Sequence, residues 1–278
     1  MKLSVAYSPC PNDTFMFYGL ATGKIDIPAR LSGAAAAGER LEIEIRLHDI
    51  ETLNRMAFDG VYDVTKLSFH AWLHVRDRYR LLRVGATLGR GCGPLVVARS
   101  PIAYERIPSC RIVVPGEHTT AHLLLRLWAP NARNRVFAPY DQVMRMVAEG
   151  EADAGVIIHE GRFVYRDKGL VRLVDLGDWW ESQTGLPIPL GCIAARATLG
   201  EERIVGCEEM VERSLRLAMK DPTATYAYVK RHAQEVEDTV IRKHIETYVN
   251  DFSLDLGPDG RAAVAALERM AREAGIGP

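Results

Sequence analysis

Four short segments of this 278-residue chain place chemically able side chains where an apolar run gives way to a polar turn. In Gly155–Phe163 (GVIIHEGRF) a strand-like run delivers His159 at its carboxyl end. An imidazole titrates near neutrality, so a histidine held there suits a general base or acid. Glu160 or Arg162 beside it could orient the ring or bind substrate; the plainer alternative is a structural histidine. In Pro115–Ala121 (PGEHTTA) a strand ends, Gly116 permits a tight turn, and Thr119 and Thr120 meet the start of the next helix. Hydroxyls, first-turn amides and the helix dipole together favour a carboxylate, although a threonine-capped helix needs no ligand. His118 and His122 are four residues apart with no third ligand nearby, so a surface helix face is expected and no metal site.

The other two segments are Asp63–His70 (DVTKLSFH) and Ser8–Thr14 (SPCPNDT). Lys66 is a cation inside an apolar strand, and such a lysine is seldom buried without a partner. Its partner could be an anionic ligand group, Asp63 or another carboxylate. Ser68 falls where a helix begins. In the first loop two prolines stiffen the turn, while Asn12, Asp13 and Thr14 offer either ligand contacts or helix caps. Ser8, Cys10 and Ser68 lack the GxSxG setting of a nucleophile elbow. Gly89–Gly93 (GRGCG) matches neither a dinucleotide nor a P-loop fingerprint and reads as a flexible rim near a hinge. Trp179–Trp180 could stack on an aromatic ligand or simply pack.

These segments need elements to hold them. Short apolar runs alternate with helical patterns along most of the chain. Lys2–Tyr7, Leu41–Leu47, Asp63–Leu67, Leu81–Ala86 and Pro94–Arg99 read as strands, with helices at Asp13–Thr22, Ile50–Asp59 and Ser68–Val75. Arg111–Val114, Arg135–Ala138, Ala154–Ile158 and Pro189–Ala195 are further strands, with helices at Thr120–Leu127 and Tyr140–Glu149. Beyond residue 200 the pattern is helical: Glu201–Met219, a sharp start at Asp221–Pro222, and Gly260–Ala274. The βαβα order predicts an α/β fold with mostly parallel sheets. Segments near 92–99 and 189–196 would cross between two lobes. One lobe is then expected from 1–95 with 192–278 and the other from 96–191, with a ligand cleft between them. Ser32–Gly38 (SGAAAAG) reads as a solvated loop insertion.

Composition narrows the function. Thirty-five basic residues against 36 acidic give a net charge of −1, which argues against a nucleic-acid binder. No apolar stretch approaches the roughly 18 residues of a bilayer span, and the first residues lack a signal-peptide core. Five cysteines at irregular spacing, without CxxC or zinc-ligand patterns, read as free thiols of a reducing cytoplasm.

The chain resembles the 1,4-dihydroxy-6-naphthoate synthase family of the futalosine route to menaquinone. The stretches that carry the resemblance are SPCPNDTFMFYGL (8–20), DIETLNRMAFDGVYDVTKLSFHA (49–71), LGRGCGPLVV (88–97), PGEHTTAHLLLRL (115–127), GEADAGVIIHEGRFVY (150–165) and DLGDWWESQTGLPIPLGCIA (175–194). The resemblance implies the two-lobed, type II periplasmic-binding-protein-like fold. It also implies a cofactor-independent lyase that fragments a small anionic substrate, cyclic dehypoxanthine futalosine. His159 would be the base, with substrate contacts from Lys66, Leu67, Ser68, Thr119, Thr120 and Ala121; Asn12 is expected as a further contact from its own loop reading. The rival readings are the sister enzyme that dehydrates chorismate and a cytoplasmic small-anion binding protein without chemistry.

Overall fold

The computed structural model describes residues 2–32, 41–234 and 237–277. Apart from Ser32, the Ala-rich segment expected as a loop insertion lies outside them. In chain order the elements are β1 (Lys2–Tyr7), α1 (Pro11–Ala21), α2 (Ala29–Ser32), β2 (Glu42–Leu47), α3 (Ile50–Phe58), β3 (Val64–Ser68), α4 (Phe69–Val75), β4 (Tyr79–Leu81), β5 (Thr87–Gly89) and β6 (Leu95–Ala98). Next come β7 (Ile112–Val114), α5 (Thr120–Trp128), β8 (Arg135–Phe137), α6 (Tyr140–Ala148), β9 (Ala154–Ile157), α7 (Gly161–Val164), β10 (Val171–Asp175), α8 (Leu176–Thr184) and β11 (Ile188–Arg196). Helices α9 (Glu201–Lys220), α10 (Tyr226–His232), α11 (Asp238–Tyr248), α12 (Asp251–Leu254) and α13 (Gly257–Glu273) complete the chain.

Two compact units form, one from 1–87 with 191–257 and one from 88–190 with 258–278. The expected division kept all C-terminal helices with the first unit; residues 258–278, which carry most of α13, instead group with the second.

In the first unit the sheet runs β2-β1-β3-β11-β4. Strands β1, β2 and β3 are parallel, whereas β11 runs antiparallel to β3 and β4. In the second unit the order is β10-β6-β9-β7-β8, with β6 antiparallel to both its neighbours and β7 parallel to β8 and β9. Both sheets are therefore mixed, which corrects the expectation of mostly parallel sheets. Fully buried strands such as LVVA and AGVI present continuous apolar runs in either direction, so hydrophobic period does not encode their polarity. The expected strand at Leu81–Ala86 also stops early. Gly85 turns the chain with φ of +85° and donates its N–H to the Ser253 carbonyl at 2.7 Å.

Helix α1 sets the first unit's character. Every residue from Pro11 to Leu20 is buried, so the helix is a core element and not an amphipathic surface one. Phe15, Phe17 and Leu20 join Leu3, Val5 and Tyr7 of β1 and Met210, Val211 and Leu215 of α9 in one apolar cluster. Ser214 of α9 donates to the Met16 carbonyl at 2.7 Å and accepts from the Leu20 N–H at 3.1 Å. Gly19 leaves room for Ile25 and Leu217, whose side chains would lie 3.0 Å from an added Cβ. Such burial obliges the polar residues at the amino end of α1 to find partners inside the protein.

In the second unit Val113, Val143, Val147, Leu95, Val97 and Ile157 form the core between the sheet and α6. The loop entering β6 and the first turn of α8 meet backbone to backbone. A Cβ on Gly93 would sit 2.2 Å from the Gly177 nitrogen, and one on Gly177 2.7 Å from the Gly93 nitrogen. Gly93→Ala is therefore expected to lower stability by about 1–3 kcal/mol through overpacking. Gly161→Ala, whose Cβ would make ordinary contacts at 3.5–3.6 Å, is expected to be close to neutral. Urea denaturation of the two variants beside the parent checks the difference.

Candidate active site

Strands β9 and β7 are parallel neighbours, with Ile112 opposite Ala154 and Val113 opposite Gly155. Their carboxyl ends consequently lie side by side. The segment holding His159 leaves one, and Pro115–Thr119 leaves the other, so the second unit brings His159 and the Thr119–Thr120 helix start to one end of one sheet. Ligands of α/β sheets bind at such strand ends. His159 is half-buried and has φ of 55°, the one non-glycine residue in the left-handed region among those described. A histidine pays a conformational cost there, and such strain gathers at functional positions. Its ring stands edge-on to Tyr140 at 5.0 Å between centroids. Tyr140 opens α6, just beyond the carboxyl end of β8. Sequence reasoning did not connect it to His159, because only the β8–β7–β9 order makes the two neighbours.

Thr119 caps α5. Its hydroxyl accepts the His122 N–H at 3.2 Å and donates to the Gly116 carbonyl at 3.0 Å. Thr120 donates its hydroxyl to the Leu190 carbonyl at 2.7 Å, so that group is aimed at protein. Ala121, buried, occupies the second position of the helix. First-turn amides have no acceptor within their own helix, and they are what this terminus offers an anion. His122 is buried, not on a surface face: its ring packs edge-on to Phe137 at 5.1 Å, and Nδ1 lies 2.7 Å from the Glu117 carbonyl. Burial pushes its pKa down to about 4, with Arg135 and Arg126 adding to the effect and the Glu117 carbonyl opposing it. Among the described residues no group of three or more His, Cys, Asp or Glu is placed to hold a metal ion.

Arg162, three residues beyond His159, does not point away from the protein. It donates to the Gly93 carbonyl at 2.5 Å, the Gly91 carbonyl at 2.6 Å and Asp175 Oδ2 at 2.8 Å. Glu181 accepts from the Gly91 N–H at 2.8 Å and pairs with Arg90 at 3.3 Å. The GRGCG segment is thus pinned by side chains from α7 and α8, which corrects its reading as a flexible rim. Cys92 within it is buried, and that burial pushes its thiol up to about 12 against the pull of Arg162. It is a protonated thiol at neutral pH, not a nucleophile. All five cysteines are thiols outside any disulfide, and all are buried. Trp180 is fully buried with its indole N–H on the Pro187 carbonyl at 3.0 Å, so it packs and does not stack on a ligand.

The first unit holds the remaining expected residues. Lys66 is buried and paired with Asp13 at 2.7 Å; it also donates to the Thr87 hydroxyl at 2.8 Å. Asp63, the other partner considered, instead accepts from the N–H and hydroxyl of Ser4 and pairs with Arg196. Asp13 is heavily served: Oδ1 also accepts from Asn12 Nδ2 at 2.9 Å, and Oδ2 accepts from the Ser8 hydroxyl at 2.6 Å and the Ser8 N–H at 3.3 Å. Asn12 Oδ1 lies 3.0 Å from His244 Nε2 of α11. Ser68 caps no amide with its side chain; its hydroxyl accepts from Asn54 Nδ2 at 3.0 Å and its N–H donates to Asn54 Oδ1 at 2.9 Å. Leu67 is fully buried opposite Cys192. Gly191 lies over this strand, where a Cβ would come within 3.1 Å of the Lys66 Cε and the Leu67 carbonyl oxygen. Asn54, Thr87 and His244 went unnoticed in the sequence, since none stands out by residue type at its position and each is 14 or more residues from its partner in the chain.

Two measurements follow. Lys66→Met strips Asp13 of its buried cation and is expected to cost about 3–5 kcal/mol; Lys66→Met with Asp13→Asn recovers a large part of it in denaturant titrations. For His122 the folded pKa lies below the unfolded value of 6.5. The unfolded state then binds more protons between pH 6.5 and about 4, so stability falls as the solution is acidified through that window. The loss is on the order of 3 kcal/mol, and it disappears in His122→Asn when stability is measured at both ends of the range.

A family model described as menaquinone biosynthesis matches residues 3–273. A protein of Thermus thermophilus named 1,4-dihydroxy-6-naphtoate synthase is 49% identical over 278 residues, covering 99% of this chain and 95% of that one. A crystal structure of an Archaeoglobus fulgidus protein superposes with a TM-score of 0.90 at 37% identity, covering 99% of this chain and 98% of that one. The alkanesulfonate-binding protein of Xanthomonas axonopodis pv. citri shares the fold at 12% identity, with a TM-score of 0.68 over 100% of this chain and 94% of its own. The architecture is of the periplasmic-binding-protein type, and the chain belongs to the menaquinone-biosynthesis family.

Proposed function

We propose that the chain is a carbon–carbon lyase that converts cyclic dehypoxanthine futalosine to 1,4-dihydroxy-6-naphthoate, working in the cytoplasm on a small anionic substrate. The observation that carries this reading is the pairing of His159 with the start of α5 at the carboxyl ends of adjacent parallel strands. In it, the first-turn amides of Thr120 and Ala121 and the helix dipole hold the substrate carboxylate. His159 removes a proton as the base; as the carbon–carbon bond breaks, its electron pair enters the ring that becomes aromatic in the product, and a three-carbon piece leaves. A fixed carboxylate and a fixed imidazole convert this proton transfer into an intramolecular event. Tyr140 limits how far the imidazole can swing. The 49% identity to a protein named for this product supports the assignment.

Asn12, Lys66, Leu67 and Ser68 are carried in the reading as substrate contacts. Among the described residues Asp13 and Thr87 account for the partners of the Lys66 ammonium, which leaves one of its three N–H donors for an anionic group. Asn12 and Ser68 contribute through side chains already oriented by His244 and Asn54.

The test is product identification by mass after incubation with cyclic dehypoxanthine futalosine and, separately, with chorismate. Release of 1,4-dihydroxy-6-naphthoate from the first alone is expected. His159→Asn should lower turnover by about 100-fold or more with its circular dichroism unchanged. Parental turnover in that variant would remove His159 from the role of base, and product from chorismate would replace the reaction itself.

A further inference from the structure

We propose that Arg162 is a positioning residue for His159, acting as a staple that locks three adjacent strand ends and so holds the imidazole in its left-handed backbone. This rests on the reading of His159 as the base. The topology makes the staple possible. Leu95 at the amino end of β6 lies opposite Ile157 of β9 on one side and Asp175 of β10 on the other. Because β6 is antiparallel to both, the segment before β6, the segment after β9 and the last residue of β10 gather at one end of the sheet. The Arg162 guanidinium reaches all three. It is carried on α7 just after His159, accepts nothing, and donates to the Gly91 and Gly93 carbonyls ahead of β6 and to Asp175 at the end of β10.

Each acceptor is itself fixed. Asp175 uses its other oxygen to cap α8, accepting from the Gly177 N–H at 2.8 Å and the Asp178 N–H at 3.3 Å. Gly93 rests against Gly177 with no space for a side chain between them. Gly91 is held from its N–H side by Glu181. The planar fork spreads its donors over separate nitrogens, one serving the Gly93 carbonyl and the other the Gly91 carbonyl and Asp175; a lysine ammonium at 162 has to reach all three from a single nitrogen. Between this anchored point and the end of β9 lie only Ile158 to Gly161, and His159, with φ of 55°, is among them. A histidine left to itself relaxes out of that region. With the far end of the segment stapled, relaxation would have to drag α7 away from the sheet, so the strained geometry persists. Three of its N–H donors are committed to protein acceptors, which favours a positioning role over substrate binding.

The experiment compares Arg162→Ala, Arg162→Lys and His159→Asn, with Arg166→Ala as a neighbouring control, using steady-state kinetics on cyclic dehypoxanthine futalosine. Arg162→Ala is expected to lower kcat by about 10- to 100-fold with KM changed less than about threefold. Arg162→Lys should recover only part of the loss, guanidinium chloride at millimolar concentration should restore turnover to Arg162→Ala, and Arg166→Ala should behave as the parent. The decisive readout is single-turnover rate in the double variant. If Arg162 acts through His159, adding Arg162→Ala to His159→Asn costs little further. A multiplicative loss, a loss confined to KM, or parental kcat in Arg162→Ala would overturn the proposal while leaving an inactive His159→Asn, and hence the base, intact. Should Arg162→Ala not fold, Arg162→Lys carries the same comparison. Full activity in His159→Asn would instead overturn the base assignment and the staple's purpose together.

Discussion

A carboxylate buried at the start of a buried helix governs the first unit. Asp13 is about 1% exposed, and an ionised group removed from water to that degree is tolerable only when paired and fully hydrogen-bonded. The helix cannot shift to expose it, because α1 is enclosed on all sides by β1 and the C-terminal helices. The surrounding chain therefore converges on it. Lys66 comes from β3, Ser8 from the turn after β1, and Asn12 from the helix itself, while Thr87 and His244 secure the second tier. Residues separated by more than 230 positions are brought together by the requirement that one charge keep its partners.

The second unit solves a different problem with the same means. Here the constraint is backbone strain at a single histidine, and the compensation comes from an arginine that ties loops belonging to three strands. With His159 as the proposed base, the arrangement puts rigidity where the imidazole would have to hold one direction for a short-range proton transfer. Helix α5 begins on the adjacent strand end with Thr119 as its cap, so the direction of the histidine and the direction of the helix dipole are both set by the sheet.

Much of this is legible in the sequence, and the limits have physical causes. The strand at Ala154–Ile157, the helix starts at Thr120 and Phe69, and the strand-end placement of His159 follow from apolar runs and cap residues that act over a few positions. Strand direction does not, because buried strands of either polarity share one pattern. Lys66 announces that it needs a counter-charge but not which one: Asp63 is near in the chain, whereas Asp13, 53 residues away, is near in space. GRGCG looks mobile by composition and is held fast by Arg162 and Glu181, partners invisible without the fold. His122 reads as exposed from its spacing, yet the neighbouring strand β8 covers it through Phe137. Local chemistry was readable; pairings across the sheets were not.

The five buried thiols give the chain a built-in gauge of its own breathing. Cys10, Cys192 and Cys207 sit in the first unit and Cys92 and Cys110 in the second, each nearly sealed from solvent. A maleimide or disulfide reagent can reach them only through transient opening, so alkylation mapped site by site would give opening free energies for separate regions of the molecule. The same seclusion shields the protein from peroxide, since oxidation requires an accessible thiolate.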